Sequence, residues 1–112
     1  MAQEVHPKTV TAYVRVDGHE PYTDWLESLR DQKTKERIKV RVRRLETGLY
    51  GDCEPVGEGV LELRIFFGPG FRVYFGEDEG NIVILLCGGD KGSQKKDIKT
   101  ANDYWKEYRE ND

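Results

Sequence analysis

Two apolar runs of alternating pattern meet at a turn that no helix can contain, and this juncture constrains the chain more than any other feature. In Val60 to Phe67, the side chains of Leu61, Leu63, Ile65 and Phe67 share one face; in the second run Phe71, Val73 and Phe75 repeat at the same period of two. Between them stands Gly68-Pro69-Gly70, two glycines that tolerate positive φ around a proline whose ring fixes its own. The pattern predicts an antiparallel hairpin. If Phe67 pairs with Phe71, then Ile65 falls opposite Val73 and Leu63 opposite Phe75, and the other face carries Phe66 opposite Arg72 and Arg64 opposite Tyr74. Two guanidiniums so placed repel unless an anion lies between them. Glu62, on the same face, can serve that role structurally; an external phosphate can serve it as well, since guanidinium binds phosphate through paired hydrogen bonds.

The rest of the chain arranges itself around this hairpin. Lys8 to Val16 alternates, with Val10, Ala12, Val14 and Val16 on one face and Thr9, Thr11, Tyr13 and Arg15 on the other, as a half-buried strand does. Pro21 suits a first helical turn, and Tyr22, Trp25, Leu26 and Leu29 follow at helical spacing. Asp31 is placed to cap a second helix with a stripe of Ile38, Val42 and Leu45, ended by Gly48; Val40 lies off the stripe, exposed or packed on another element. These two helices form an αα-hairpin. Asp52 to Val56 reads as a short strand. Ile82 to Cys87 is apolar on both faces, as a central strand is, and Gly88-Gly89 is expected to break the sheet. Ser93 is placed to cap a last helix with Ile98, Ala101, Trp105 and Tyr108 on one face. The order predicted is β-α-α-β-β-β-β-α: a single α+β domain over residues 1–112, its antiparallel sheet packed by the αα-hairpin and the C-terminal helix.

A 37% hydrophobic and 35% charged composition excludes a membrane protein, and the aromatic content argues against disorder. Met1 to Lys8 holds no apolar run, so neither a signal peptide nor a spanning segment is expected there, and the chain reads as cytoplasmic. Cys53 and Cys87 fit no metal-ligand spacing and form either one disulfide or two free thiols, the latter suited to a reducing compartment. His6 and His19 have no partner spacing, so no metal site and no cofactor is expected.

The formal net charge of −3 argues against nucleic acid only if charge is evenly spread, and it is not. Residues 30–45 carry eight basic side chains, Arg37, Arg41 and Arg44 among them, against Asp31 and Glu36, a net of +6. Residues 91–99 carry Lys91, Lys95, Lys96 and Lys99 against Asp97, a net of +3. A lone basic helix is usually a solvated face; two basic segments beside two strand arginines are also what a polyanion-binding surface requires. Cys87 to Gln94 joins a strand to a helix start, where backbone N–H groups favour an anion, but it lacks the spacing of a Walker loop. Gln94 and Asp97, three apart, share a helix face.

The runs ELRI, FGPGFRVYF and LLCGGDKGSQKKDI together resemble the RelE/ParE toxin superfamily, in the HigB-like branch of addiction module killer proteins. The resemblance extends over roughly residues 10 to 106. It implies a RelE/ParE-like fold and a toxin paired with a small helix-turn-helix antitoxin. It further implies cleavage of messenger RNA on the ribosome without metal, by attack of the ribose 2′-hydroxyl. Carried over by motif, Arg72 corresponds to the phosphate-stabilising strand arginine, Arg64 and Lys91 to neighbouring basic positions, and Tyr74 accompanies Arg72. Asp97 is the acid–base candidate with Gln94 orienting, and Lys95, Lys96, Arg37, Arg41 and Arg44 are expected to contact RNA. No histidine lies near this set, so a base must come from Asp97, Glu62 or a lysine. Two other outcomes share the fold: a non-enzymatic toxin acting on a protein such as DNA gyrase, and an inactive member that only binds its antitoxin.

Overall fold

A computed structural model describes residues 7–111; His6 and most of the N-terminal stretch read above lie outside the described residues. The chain runs β1 (Thr9–Ala12), α1 (Pro21–Ser28), α2 (Gln32–Arg43), β2 (Cys53–Gly57), β3 (Val60–Ile65), β4 (Phe71–Asp78), β5 (Ile82–Asp90) and α3 (Gln94–Glu110). Short 3-10 turns follow α2 (Arg44–Thr47) and precede α3 (Lys91–Ser93).

The five strands form one sheet in the order β1-β5-β4-β3-β2. The sheet is mixed and not wholly antiparallel as expected, because β1 pairs with β5 in parallel, Thr9 beside Ile82 through Ala12 beside Leu85. Almost the whole chain separates these two strands, so no tight turn dictates their relative direction. β1 is also shorter than the alternation suggested. After Tyr13 N–H bonds to the Leu85 carbonyl the chain leaves the sheet for a turn closed by Arg15 and His19. Val14 and Val16 are therefore exposed, the latter at 87%, and it is Tyr13, from the other half of the alternation, that is buried.

Helices cover both faces. On one, Tyr22 and Leu26 of α1 and Ile38, Val42 and Leu45 of the α2 region meet Leu63, Val73, Phe75 and Leu85 of the sheet. On the other, Ala101 and Trp105 of α3 meet Val60, Tyr74, Ile84 and Leu86. Each large aliphatic side chain so buried contributes about 1.5–3 kcal/mol. Pro21 lies in the first turn of α1, and Gly48 ends the 3-10 turn after α2 at φ 81°. Asp31 holds the N-cap position of α2 but makes no side-chain cap; its carboxylate accepts instead from the Thr34 hydroxyl at 2.7 Å. Val40 is exposed.

The hairpin register differs from the expected one by two residues. Ile65 pairs with Phe71, Arg64 with Arg72, Leu63 with Val73 and Glu62 with Tyr74. The faces survive a slip of two, but the partners change. The cause is the connection, which begins at Phe66 and not after Phe67: Phe67 N–H bonds to the Ile65 carbonyl at 3.0 Å and Gly70 N–H to the Phe67 carbonyl at 3.1 Å. Phe66 is left 80% exposed.

Gly88 and Gly89 do not break the sheet; they remain in β5, opposite Val73 and Arg72. Their small size is required by neighbours from other elements. A Cβ on Gly88 would lie 2.3 Å from Cε3 of Trp25, and one on Gly89 would lie 1.8 Å from Oδ2 of Asp97. A β-bulge precedes them: Tyr74 pairs with Cys87 but Phe75 pairs with Leu85, so Leu86 is an extra residue. Leu86 and Cys87 consequently both pack on the α3 side.

Candidate functional site

Beyond the bulge, adjacent strands line up two rows of side chains on the α3 face. One row runs Glu54, Glu62, Tyr74, Cys87 and the next Arg64, Arg72, Gly89. The two arginines expected to share a face are thus direct cross-strand partners, and Glu62 lies one step away from both.

Glu62 is 0% exposed and is the hub of this face. Its Oε1 accepts from Arg64 Nε at 2.9 Å, and its Oε2 accepts from the Tyr74 hydroxyl at 3.0 Å and from Gln94 Nε2 at 2.9 Å. Arg72 Nε approaches the same Oε2 at 3.5 Å. Burial acts to raise the pKa of this carboxylate, but the bonds from Arg64, Gln94 and Tyr74, with the charge of Arg72, outweigh it and hold the pKa below its ordinary value. Glu54 adds a second carboxylate, 3.0 Å from Arg64 Nη2. Tyr74 is fully buried, and that burial, with the neighbouring Glu62 charge, pushes its phenol well above the ordinary value. It is therefore a hydrogen-bond donor that stays protonated at neutral pH.

At the start of α3, Asp90 and Ser93 exchange bonds as a capping box of the 3-10 turn. Ser93 makes no side-chain cap of α3 itself; its hydroxyl instead donates to Oδ2 of Asp97. Asp97 packs on bare Gly89 backbone, while Gln94, from the same helix face, reaches Glu62. Lys95 and Lys96 lie on the exposed side of α3.

A groove of about 350 Å³ opens at the end of this face, lined by Phe66, Phe67, Pro69, Arg72 and Lys91. Arg72 retains 12% side-chain exposure there. The structure thus brings Arg64, Arg72, Tyr74, Gln94 and Asp97 to one face and sets Lys91 at its rim. Arg37, Arg41 and Arg44 lie elsewhere, along a separate cavity of about 540 Å³ between α2 and the end of β3. Within that set, Arg41 is held by the protein's own backbone: it donates to the carbonyls of Tyr50 at 3.1 Å and Arg64 at 3.3 Å. Arg37 stacks over the Phe67 ring at 4.2 Å.

Sequence reasoning missed Glu54 and Phe66. Glu54 is found only through the β2–β3 register. Phe66 carried a signal, its phase opposite to the core run beside a Gly-Pro-Gly turn, that was masked by placing it within the strand. Among the described residues no cluster of His, Cys, Asp and Glu is arranged to hold a metal ion. Cys53 and Cys87 are free thiols. No helix of the described residues is long and apolar enough to cross a membrane.

The fold and site define a small single-domain α+β protein whose sheet carries a charge-compensated arginine pair beside a cationic groove. The family described as "Phage derived protein Gp49-like (DUF891)" matches residues 24–106, and the chain belongs to that family. A protein of Haemophilus influenzae, described as an uncharacterized protein, is 48% identical over 80 residues, covering 71% of this chain and 81% of that protein.

Proposed function

We propose that this chain is the toxin of a phage-type addiction module and that it cleaves messenger RNA on the ribosome, in the manner of the HigB-like RelE/ParE toxins it resembles. Membership of the Gp49-like family supports the toxin reading. The observation that carries the RNA reading is the shared groove of Arg72 and Lys91, backed by a buried carboxylate that keeps the arginine pair together. In this reaction the ribose 2′-hydroxyl attacks the adjacent phosphorus and gives its proton to Asp97. Arg72 and Lys91 hold the non-bridging oxygens as their charge grows. The P–O5′ bond breaks, the 5′-oxygen takes a proton from water, and a 2′,3′-cyclic phosphate remains. Glu62 and Gln94 position Arg72 and take no proton. Arg64, Lys95 and Lys96 extend the cationic field toward ribosomal RNA, and a helix-turn-helix antitoxin neutralises the toxin in the cytoplasm.

Three observations favour a second reading. Glu62 is closed to solvent, the Tyr74 phenol is buried, and Asp97 is already bonded by Ser93. On that reading the protein inhibits a target such as DNA gyrase without chemistry. Induced expression, with primer extension on ribosome-bound messenger and a gyrase supercoiling assay, separates the two. RNA cleavage predicts growth arrest, cyclic-phosphate ends, and loss of both in Arg72→Ala. Growth arrest without cleavage, and with supercoiling inhibited, selects the second reading.

A further inference from the structure

Phe66 stands between two cationic cavities. The cavity of about 540 Å³ presents Arg37 and Arg44 on one side of it, and the groove of about 350 Å³ presents Arg72 and Lys91 on the other. Phe66 and Phe67 line both, so the two cavities adjoin across these aromatic rings. The rings differ in their state. Phe67 is half-buried and its face is taken by the Arg37 guanidinium, whereas Phe66 is 80% exposed. A single exposed apolar side chain is ordinary by itself. An open aromatic plane with cations on both sides is a more specific arrangement, matched to a ligand that alternates flat bases with phosphates. Glu36 and Asp52 also border the larger cavity, so its field is not uniformly positive and favours a strand laid along the arginines over diffuse polyanion binding.

The geometry points to Phe66 as a platform on which one base of single-stranded RNA stacks, its flanking phosphates held by Arg37 and Arg44 on one side and by Arg72 and Lys91 on the other. This rests on the RNA reading for the ligand and adds the residue that orients it. An acidic protein segment would find Val40 and Phe66 as apolar contacts, but it would leave the Arg72–Lys91 groove without a role.

The test uses the full chain and a short 2′-O-methylated oligoribonucleotide, which binds but cannot be cleaved by its own 2′-hydroxyl. One version carries 2-aminopurine at a single position and a matched version is abasic there. Wild type quenches the 2-aminopurine and binds that version about tenfold more tightly than the abasic one. Phe66→Leu loses the quenching and the tenfold preference with an unchanged melting temperature, and Phe66→Trp keeps both. Equal binding of the two versions by wild type, with Arg72→Ala still weakening both, overturns the stacking role and leaves the RNA reading standing. No binding of either version overturns the stacking proposal, while the ribosomal reading stands or falls by primer extension on ribosome-bound messenger. If Phe66→Leu weakens only association with the cognate antitoxin, the patch is a protein-docking surface and the proposal falls.

Discussion

Arg72 lies against Glu62, its Nε 3.5 Å from Oε2, yet that buried N–H finds no hydrogen-bond acceptor among the described residues. The carboxylate is occupied by Arg64, Tyr74 and Gln94. Arg72 is therefore neutralised through charge and not through a directed bond. Its guanidinium can turn toward an anion in the groove without breaking a hydrogen bond, while the same attraction keeps it from leaving the face.

Removing the carboxylate exposes how much the face depends on it. Glu62→Ala takes from two cross-strand arginines their shared buried carboxylate, leaving Arg64 with Glu54 and the more distant charge of Asp52, and it lowers stability by about 3–5 kcal/mol. The isosteric Glu62→Gln costs about 1–3 kcal/mol, because part of the hydrogen bonding persists. Urea unfolding at neutral pH measures both. A loss below about 1 kcal/mol for the alanine variant contradicts the role assigned to Glu62.

The same residue sets a pH dependence. Its folded pKa is below the ordinary 4.5, so the unfolded chain binds the proton more readily and stability rises with pH in this range. The contribution is complete above pH 4.5 and is lost as pH falls through the folded value. Asp17, Asp31 and Glu107 are shifted in the same direction, so acid destabilisation persists in Glu62→Gln. The difference between wild-type and variant stability should shrink between neutral pH and the acid limit. A constant difference would contradict the assignment.

Gly89→Ala places a methyl group where Asp97 Oδ2 now lies, at 1.8 Å. The start of α3 must shift, at a cost of about 1–3 kcal/mol. Adding Asp97→Ala removes the closest obstruction and leaves the Ser93 hydroxyl, 2.9 Å away and free to rotate once Asp97 is gone, so the double variant should be more stable than Gly89→Ala alone. Strictly additive losses in thermal unfolding would show that the two positions do not share space.

Both thiols should be slow to react in the folded protein. Burial raises Cys87 to about 12 and, with help from the Glu77 charge, Cys53 to about 11, so thiolate is scarce at pH 8. A disulfide reagent should titrate them in urea far faster than in buffer, with Cys53, the half-buried one, reacting first in buffer.

The elements with strong periodicity were legible in the chain itself: Tyr22 and Leu26, then Ile38, Val42 and Leu45, mark the helical faces that are buried. So was the shared face of Glu62, Arg64, Arg72 and Tyr74, because alternation assigns faces without a register; that Gln94 reaches Glu62 was not. What escaped depended on contacts distant in sequence. The phase of Lys8 to Val16 is symmetric enough that only the turn at Arg15 to His19 decides which half is buried. The hairpin register rested on where the turn starts, and the Phe67 N–H bond to Ile65 decides that. Gly88 and Gly89 look like a terminator until Trp25 and Asp97 are seen above them.

The extra residue at Leu86 gives β5 two codes in succession. Up to Leu85, odd-numbered positions address the α1–α2 layer; after the bulge the parity inverts, so Gly88 meets Trp25 and Gly89 meets Asp97. Deleting one residue there would preserve composition and strand length almost unchanged, yet it would exchange the layers that the last third of the strand serves. The bulge is thus a phase shift that lets the apolar half of the strand and its site-bearing end be written in different frames.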